Sequence, residues 1–157
     1  MDGKWLFSAL AAGLLATALI QTGVKHVRAE NASKPTEECT LQFDNATLAD
    51  VPQVTTTLQM ERGLSGRKNV GNGMLFTWQD DSARVFWMRG TPTPLSVAFI
   101  DSKGVVLQIE DMKPESDFLH WSTLPAREGL EMKMGEFQKL GIVPGSRLIS
   151  RECKPIS

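Results

Sequence analysis

Short apolar or alternating runs recur along the chain from Cys39 onward, and turn-forming residues separate them. Such runs are typical of β-strands bounded by tight turns. The predicted strands cover residues 39–43, 54–58, 74–78, 84–88, 95–100, 105–109 and 147–150. Two segments that contain or precede a glycine, 59–64 and 135–140, favour short helices instead. The pattern predicts a mostly β fold of the α+β class: a small barrel-like antiparallel sheet with one or two short helices.

One segment fits both kinds of element. Residues 127–134, with the sequence REGLEMKM, are ambiguous between a strand and a helix. The stretch before it, residues 114–125, is bounded by Pro114 and Pro125 and is predicted to be a long loop, because proline interrupts regular pairing.

The first segment of the chain has the features of a targeting sequence. Lys4 precedes an uncharged stretch at 5–24, and Val27 and Ala29 fit the small or aliphatic positions of a cleavage site. We therefore predict that residues 1–29 are a signal peptide and that the polar residues 30–38 are a flexible linker. The alternative is a retained membrane anchor, because about 20 uncharged residues can just span a bilayer. Either interpretation places the body of the protein outside the cytoplasm, in the periplasm or secreted.

Length and charge limit the remaining possibilities. Residues 39–157 are enough for one domain. The segment 1–29 carries three basic residues and one acidic residue, so its removal changes the net charge from −1 to −3. Neither value indicates a nucleic-acid partner. A membrane partner is expected only if the N-terminal segment is retained, and the sequence defines no oligomeric state.

Cysteine and histidine are scarce. Cys39 and Cys153 open and nearly close the predicted domain, and an even cysteine count in an exported chain indicates a disulfide. The alternative is two free, buried thiols. His120 is the one histidine that remains after removal of residues 1–29, so the usual zinc site cannot be assembled. We predict no metal and no cofactor.

Several pieces of the chain, in order, resemble one family. They are TLQMERGLSGR at 57–67, GMLF at 73–76, FWM at 86–88 with Thr91 and PL at 94–95, FID at 99–101 with GVV at 104–106, MKP at 112–114, AR at 126–127, Glu131, GI at 141–142 and PG at 144–145. Together they are similar to the DUF192 (UPF0127) family of small, often exported prokaryotic proteins, over about residues 40–150. The resemblance implies a compact β-rich domain and no particular mechanism. Where the family usually has Asn, Asp and an aromatic residue, this chain has Gly90, Ser96 and Gly129.

Five residues are candidate ligand contacts: Arg67, Trp87, Arg89, Asp101 and His120. Trp87 and Arg89 stand beside a proline-rich loop and could line a cleft. In a strand Trp87 and Met88 point to opposite faces, so at least one of them is expected in the core, and Phe86 and Met88 are favoured there. Arg67 could hold a carboxylate or phosphate, and the alternative is a surface arginine with no specific role. Asp101 and His120 have side chains suited to proton transfer, but turn aspartates commonly bond their own backbone and loop histidines are usually solvated.

The sequence favours a non-enzymatic, extracytoplasmic binding or accessory module, because it contains no nucleophile–base pair, metal cluster or phosphate loop. The expected ligand is a small molecule or a cell-envelope component. One alternative is a hydrolase or lyase that acts on envelope polymers through carboxylates such as Asp101, Glu110 and Asp111. The other is a structural partner of a membrane complex, which would expose an apolar patch.

Overall fold

A computed structural model describes residues 30–156 of the protein. The predicted signal peptide or anchor, residues 1–29, lies outside the described residues. No helix in the described part of the chain is long and apolar enough to cross a membrane. Residues 30–34 are a short separate segment in which the Ser33 amide and hydroxyl donate to the Glu30 carbonyl, at 3.3 and 2.8 Å. The domain begins at Pro35.

Strands are the predominant regular structure between residues 35 and 156, which confirms the mostly β prediction. The elements are β1 (Glu37–Phe43), β2 (Thr47–Val54), α1 (Thr57–Arg62), β3 (Met74–Ser82), β4 (Val85–Phe86), β5 (Leu95–Ile100), β6 (Val106–Met112), β7 (His120–Trp121), β8 (Ala126–Lys133), α2 (Glu136–Lys139) and β9 (Leu148–Pro155). The ambiguous segment 127–134 is therefore largely strand. Glu37 and Glu38, at the end of the predicted linker, already belong to β1.

The strand predicted at 54–58 is wrong, because β2 ends at Val54 and α1 starts at Thr57. The Thr56 hydroxyl accepts from the Gln59 amide at 3.4 Å, and the Gln59 side chain accepts from the Thr56 amide at 3.2 Å. This reciprocal capping box satisfies amides at the start of the helix. Thr55, Thr56 and Thr57 are β-branched, which favours a strand, but Thr56 instead caps the N-terminus of α1.

Seven strands form one sheet in the order β6-β5-β8-β3-β2-β1-β9. Neighbours are antiparallel except β2 and β3, which run parallel. The predicted antiparallel sheet is therefore mixed at this one pair. The connection that contains α1 allows it, because parallel neighbours need a crossover. The sheet is not a closed barrel: its edge strands meet near one end at the isolated bridge between Val105 and Arg147.

The central strands are buried on both faces. β5 is buried at every position, as its apolar sequence predicts. One core cluster includes Leu41, Leu75, Ile100 and Leu130. The cluster on the opposite face includes Met74, Phe76, Val97, Phe99 and Phe86. The candidate site described below lies against this second cluster.

A disulfide joins Cys39 of β1 to Cys153 of β9, which confirms the predicted pairing. The two residues are direct cross-strand partners, and 114 positions separate them in the sequence. The carbonyl oxygen of the buried Gln53 side chain lies 3.3 and 3.2 Å from the two sulfurs. The disulfide therefore ties the first strand of the domain to its last.

Candidate functional site

A cleft of about 380 Å³ opens between α1, with the turn that follows it, and the segment around β4. Its walls combine aromatic, aliphatic and a few charged side chains. The lining residues are Thr55, Thr57, 60–65, Phe76, Trp78, 83–87, Arg89, Thr91 and Glu131. Concave sites with mostly apolar walls and a few polar groups are typical of small-molecule binding.

Aromatic rings form one side of the cleft. Phe76 and Trp78 lie two residues apart on β3, so their side chains point to the same face of the sheet. The Phe86 ring packs edge-on against both, with centroid distances of 5.0 Å to Phe76 and 6.1 Å to Trp78. Gly129 makes this possible, because a Cβ at that position would lie 2.5 Å from the Phe86 ring.

Glu131, on β8, is the unusual residue of the cleft. It is only 4% exposed, and its cross-strand neighbours are Met74 and Val97. No hydrogen bond or ion pair to another residue within 30–156 holds its carboxyl, and burial alone raises its pKa to about 8. The described residues leave no fully buried polar side-chain atom without a partner. The Glu131 carboxyl therefore opens into the cleft and is mostly protonated at neutral pH.

A second buried glutamate on the same strand provides a contrast. Glu128 lies on the opposite face of β8 and is also nearly inaccessible, at 5%. Its carboxylate forms an ion pair with the Arg151 guanidinium. Buried carboxylates are ordinarily paired in this way, because an uncompensated buried charge is costly. The missing partner of Glu131 is therefore a local feature of the cleft.

Three arginines also line the cleft. Arg84 stacks over the Trp78 ring at 4.6 Å, donates to the Ala126 carbonyl at 2.9 Å and pairs with Asp80 at 3.0 Å. Arg89 pairs with Asp117 at 2.6 Å on the exposed rim. Arg62, on α1, forms no ion pair within the described part of the chain.

The five predicted contact residues do not come together. Trp87 and Arg89 line the cleft, whereas Arg67, Asp101 and His120 do not. The Asp101 carboxylate accepts from the Lys103 and Val105 amides, at 2.9 and 2.8 Å, and so stabilises its own hairpin turn.

His120 is buried in β7, and its Nδ1 lies 2.9 Å from Glu110. The carboxylates suggested for hydrolysis, Asp101, Glu110 and Asp111, all lie outside the cleft. In residues 30–156 no group of histidine, cysteine or acidic side chains could hold a metal ion.

Comparison with known proteins now gives the chain a family. Residues 40–150 match DUF192, described as "Uncharacterized ACR, COG1430". The chain belongs to the DUF192 family. No curated protein matches it.

Two solved structures are similar to this DUF192 domain. A protein of unknown function from Novosphingobium aromaticivorans DSM 12444 is 25% identical, with a TM-score of 0.64 and coverage of 73% of this chain and 83% of that one. A putative transcription regulator from Sinorhizobium meliloti 1021 is 28% identical, with a TM-score of 0.65 and coverage of 78% and 95%. Neither description supplies a substrate or a ligand.

The three departures from the usual DUF192 pattern have local structural explanations. Gly90 has a φ of +66°, a left-handed conformation that glycine and asparagine both adopt readily. Ser96 lies away from the cleft and donates to Asp111 on the neighbouring strand at 2.5 Å, so a carboxylate is still adjacent. At Gly129 the Phe86 ring fills the space beside the strand. Gly90 and Gly129 adjoin cleft-lining residues, Ser65 and Phe86 respectively.

Sequence reasoning did not select Glu131, Glu61, Phe76, Trp78 or Arg84 as site residues. The sequence carries no specific signal for Glu131. Leu130 and Met132 flank it, but Arg127, Glu128 and Lys133 lie in the same segment, so an acidic residue there is equally typical of a solvent-facing strand position. The ambiguity between strand and helix at 127–134 also left its face undefined.

Proposed function

We propose that this DUF192 protein is a non-enzymatic, extracytoplasmic binding module whose cleft holds a small organic molecule. The observation that carries the proposal is the buried Glu131 carboxyl, which lies in a cleft with aromatic walls and has no partner in the part of the chain that the structure describes. A buried polar group without a protein partner costs free energy. A bound ligand would supply the missing partner.

The cleft composition supports binding rather than hydrolysis. Its second carboxylate, Glu61, is exposed on α1. The Ser65 hydroxyl donates to the Gly90 carbonyl at 3.1 Å and is not hydrogen-bonded to a histidine or carboxylate of the described chain. An acid–base or nucleophilic mechanism needs two groups with matched roles. Nucleic acid is also a poor match for a chain with a net charge of −1, despite the description of the Sinorhizobium protein.

Fragment screening by NMR tests the proposal on the full chain. The indole N–H signals of Trp78 and Trp87 report on the cleft, and that of Trp121 reports on a surface outside it. We expect aromatic fragments to shift the first two signals and not the third. Ala83→Trp, at the exposed edge of the cleft, should abolish these shifts. The matched control is Ala49→Trp at an exposed position on β2, which should leave them intact. Binding unchanged by Ala83→Trp would contradict the proposal.

A second candidate function is docking to an envelope protein. Its support is an exposed apolar segment with Phe118 at 68%, Trp121 at 52% and Leu124 at 56%. Exposed apolar residues close together are typical of interaction surfaces. Photo-crosslinking from position 119 in cells should then give a discrete adduct, whereas the same label at Ala49 should give none. Equal labelling from both positions would remove this candidate.

A further inference from the structure

We propose that the cleft selects organic cations: small molecules with a protonated amino group on an aromatic or other apolar body, whose positive charge lies against Glu131. This inference rests on the proposed binding function and names the ligand class for the same cleft. It follows from the charge balance of the lining, from the aromatic walls and from the position of the Glu131 carboxyl.

The charges that line the cleft favour a cationic ligand. The charged groups that line the cleft are Glu61, Arg62, Arg84, Arg89 and Glu131. Arg84 and Arg89 are already neutralised by Asp80 and Asp117, which do not line the cleft. The groups left are Glu61, Arg62 and Glu131, whose sum is −1 when Glu131 is ionised. One positive charge on the ligand cancels it.

The aromatic walls favour the same class. The faces of tryptophan and phenylalanine rings attract cations, most strongly where water is excluded. The fold already shows this at the cleft wall, where the Arg84 guanidinium lies 4.6 Å from the centroid of the Trp78 ring. The Phe76 and Phe86 rings, and the more exposed Trp87, offer further apolar surface to the ligand body.

The position of Glu131 links binding to proton release. Its cross-strand neighbours on β3 and β5, Met74 and Val97, carry no charge. The other titratable or charged groups that face the cleft are Glu61 and Arg62 from α1 and the two paired arginines, Arg84 and Arg89. A ligand cation replaces the proton that the Glu131 carboxyl otherwise keeps. Affinity for a cation should therefore rise with pH as Glu131 ionises, while affinity for a neutral ligand should not.

Three probes with one aromatic body separate these possibilities: benzylammonium, benzyl alcohol and benzoate. Titration calorimetry and NMR with the full chain measure binding at pH 6 and pH 8. If the bound form requires ionised Glu131, the benzylammonium affinity should rise on the order of 50-fold between these values. Benzyl alcohol should show no such rise, and benzoate should bind most weakly.

Variants identify the group responsible. At pH 8, Glu131→Gln should lower the ratio of benzylammonium affinity to benzyl alcohol affinity by about tenfold or more. The benzylammonium affinity of this variant should no longer depend on pH. Glu131→Asp keeps the charge and should retain part of the preference. Glu152→Gln removes an exposed carboxylate on β9, outside the cleft, and should leave the preference unchanged within about threefold, because a distant exposed charge interacts weakly.

The outcomes distinguish this inference from the proposed function. Equal binding of benzylammonium and benzyl alcohol, or a preference that survives Glu131→Gln, would overturn the cation selectivity and leave the binding module standing. Failure of benzylammonium to bind, while other fragments still shift Trp78 and Trp87, would do the same. If no fragment shifts those two signals, both proposals are wrong.

Discussion

Replacing Glu131 by glutamine should stabilise the protein, and more so as the pH rises. The glutamine side chain has nearly the same shape and cannot ionise. Burial raises the Glu131 pKa from 4.5 to about 8 in the folded state. Each unit of difference between the folded and unfolded pKa corresponds to about 1.4 kcal/mol.

The sign follows from proton binding. Below pH 4.5 the Glu131 carboxyl is protonated in both the folded and the unfolded state, so this group adds little pH dependence to the free energy of unfolding. Between pH 4.5 and pH 8 the unfolded chain has released its proton and the folded protein has not, so the free energy of unfolding falls as pH rises. Above pH 8 the loss levels off. Between pH 5 and pH 9 the advantage of Glu131→Gln over the wild type should grow by about 4 kcal/mol.

Urea unfolding of both proteins at pH 5, 7 and 9, with the disulfide intact, measures this difference. The control is Glu128→Gln on the opposite face of β8, which removes the partner of Arg151. It should destabilise the protein, because it leaves a partly buried guanidinium unpaired. Parallel stability curves for Glu131→Gln and the wild type across this pH range would refute the reasoning.

Three further predictions concern the fold. Replacing Cys39 and Cys153 together by serine should lower the free energy of unfolding by about 4–5 kcal/mol, because the disulfide closes a loop of more than 100 residues; urea unfolding with and without reductant checks this. Gly129→Ala should lower the free energy of unfolding by about 1–3 kcal/mol, because the added methyl group collides with the Phe86 ring. In a double-mutant cycle, adding Phe86→Leu should make the Gly129→Ala change less destabilising, and strict additivity of the two changes would contradict the contact. Asp101→Ala should lower the free energy of unfolding by about 1 kcal/mol and leave fragment binding unchanged. Loss of fragment binding in a folded Asp101→Ala variant would show that Asp101 belongs to the site.

Local patterns were enough to predict much of the fold. The apolar runs at 95–100 and 105–109 predicted two strands, and both are largely strand in the structure. The two cysteines predicted the disulfide that joins β1 to β9. Tertiary pairing decides the rest. The parallel contact of β2 and β3 depends on how the chain crosses over through α1, and a local pattern carries no information about that crossover.

The site was less predictable, for a physical reason. The unusual property of Glu131 is that its carboxyl has no partner among residues 30–156, and this depends on the strand register that places Met74 and Val97 beside it. The sequence favoured exposed or turn residues such as Asp101, but the Asp101 carboxylate accepts hydrogen bonds from the amides of its own turn. Trp87 and Arg89 were selected because an aromatic and a basic side chain stood near a proline-rich loop, and both line the cleft.

The most direct test of the account is a ¹³C NMR titration of the Glu131 side-chain carboxyl in the full chain, with the signal assigned by its loss in Glu131→Gln. We expect a midpoint near pH 8 for the free protein. Saturating benzylammonium should lower that midpoint, and benzyl alcohol should not. A carboxyl that titrates near pH 4.5 and is unaffected by either probe would contradict the claim that Glu131 is the unpaired ligand-binding group of the cleft.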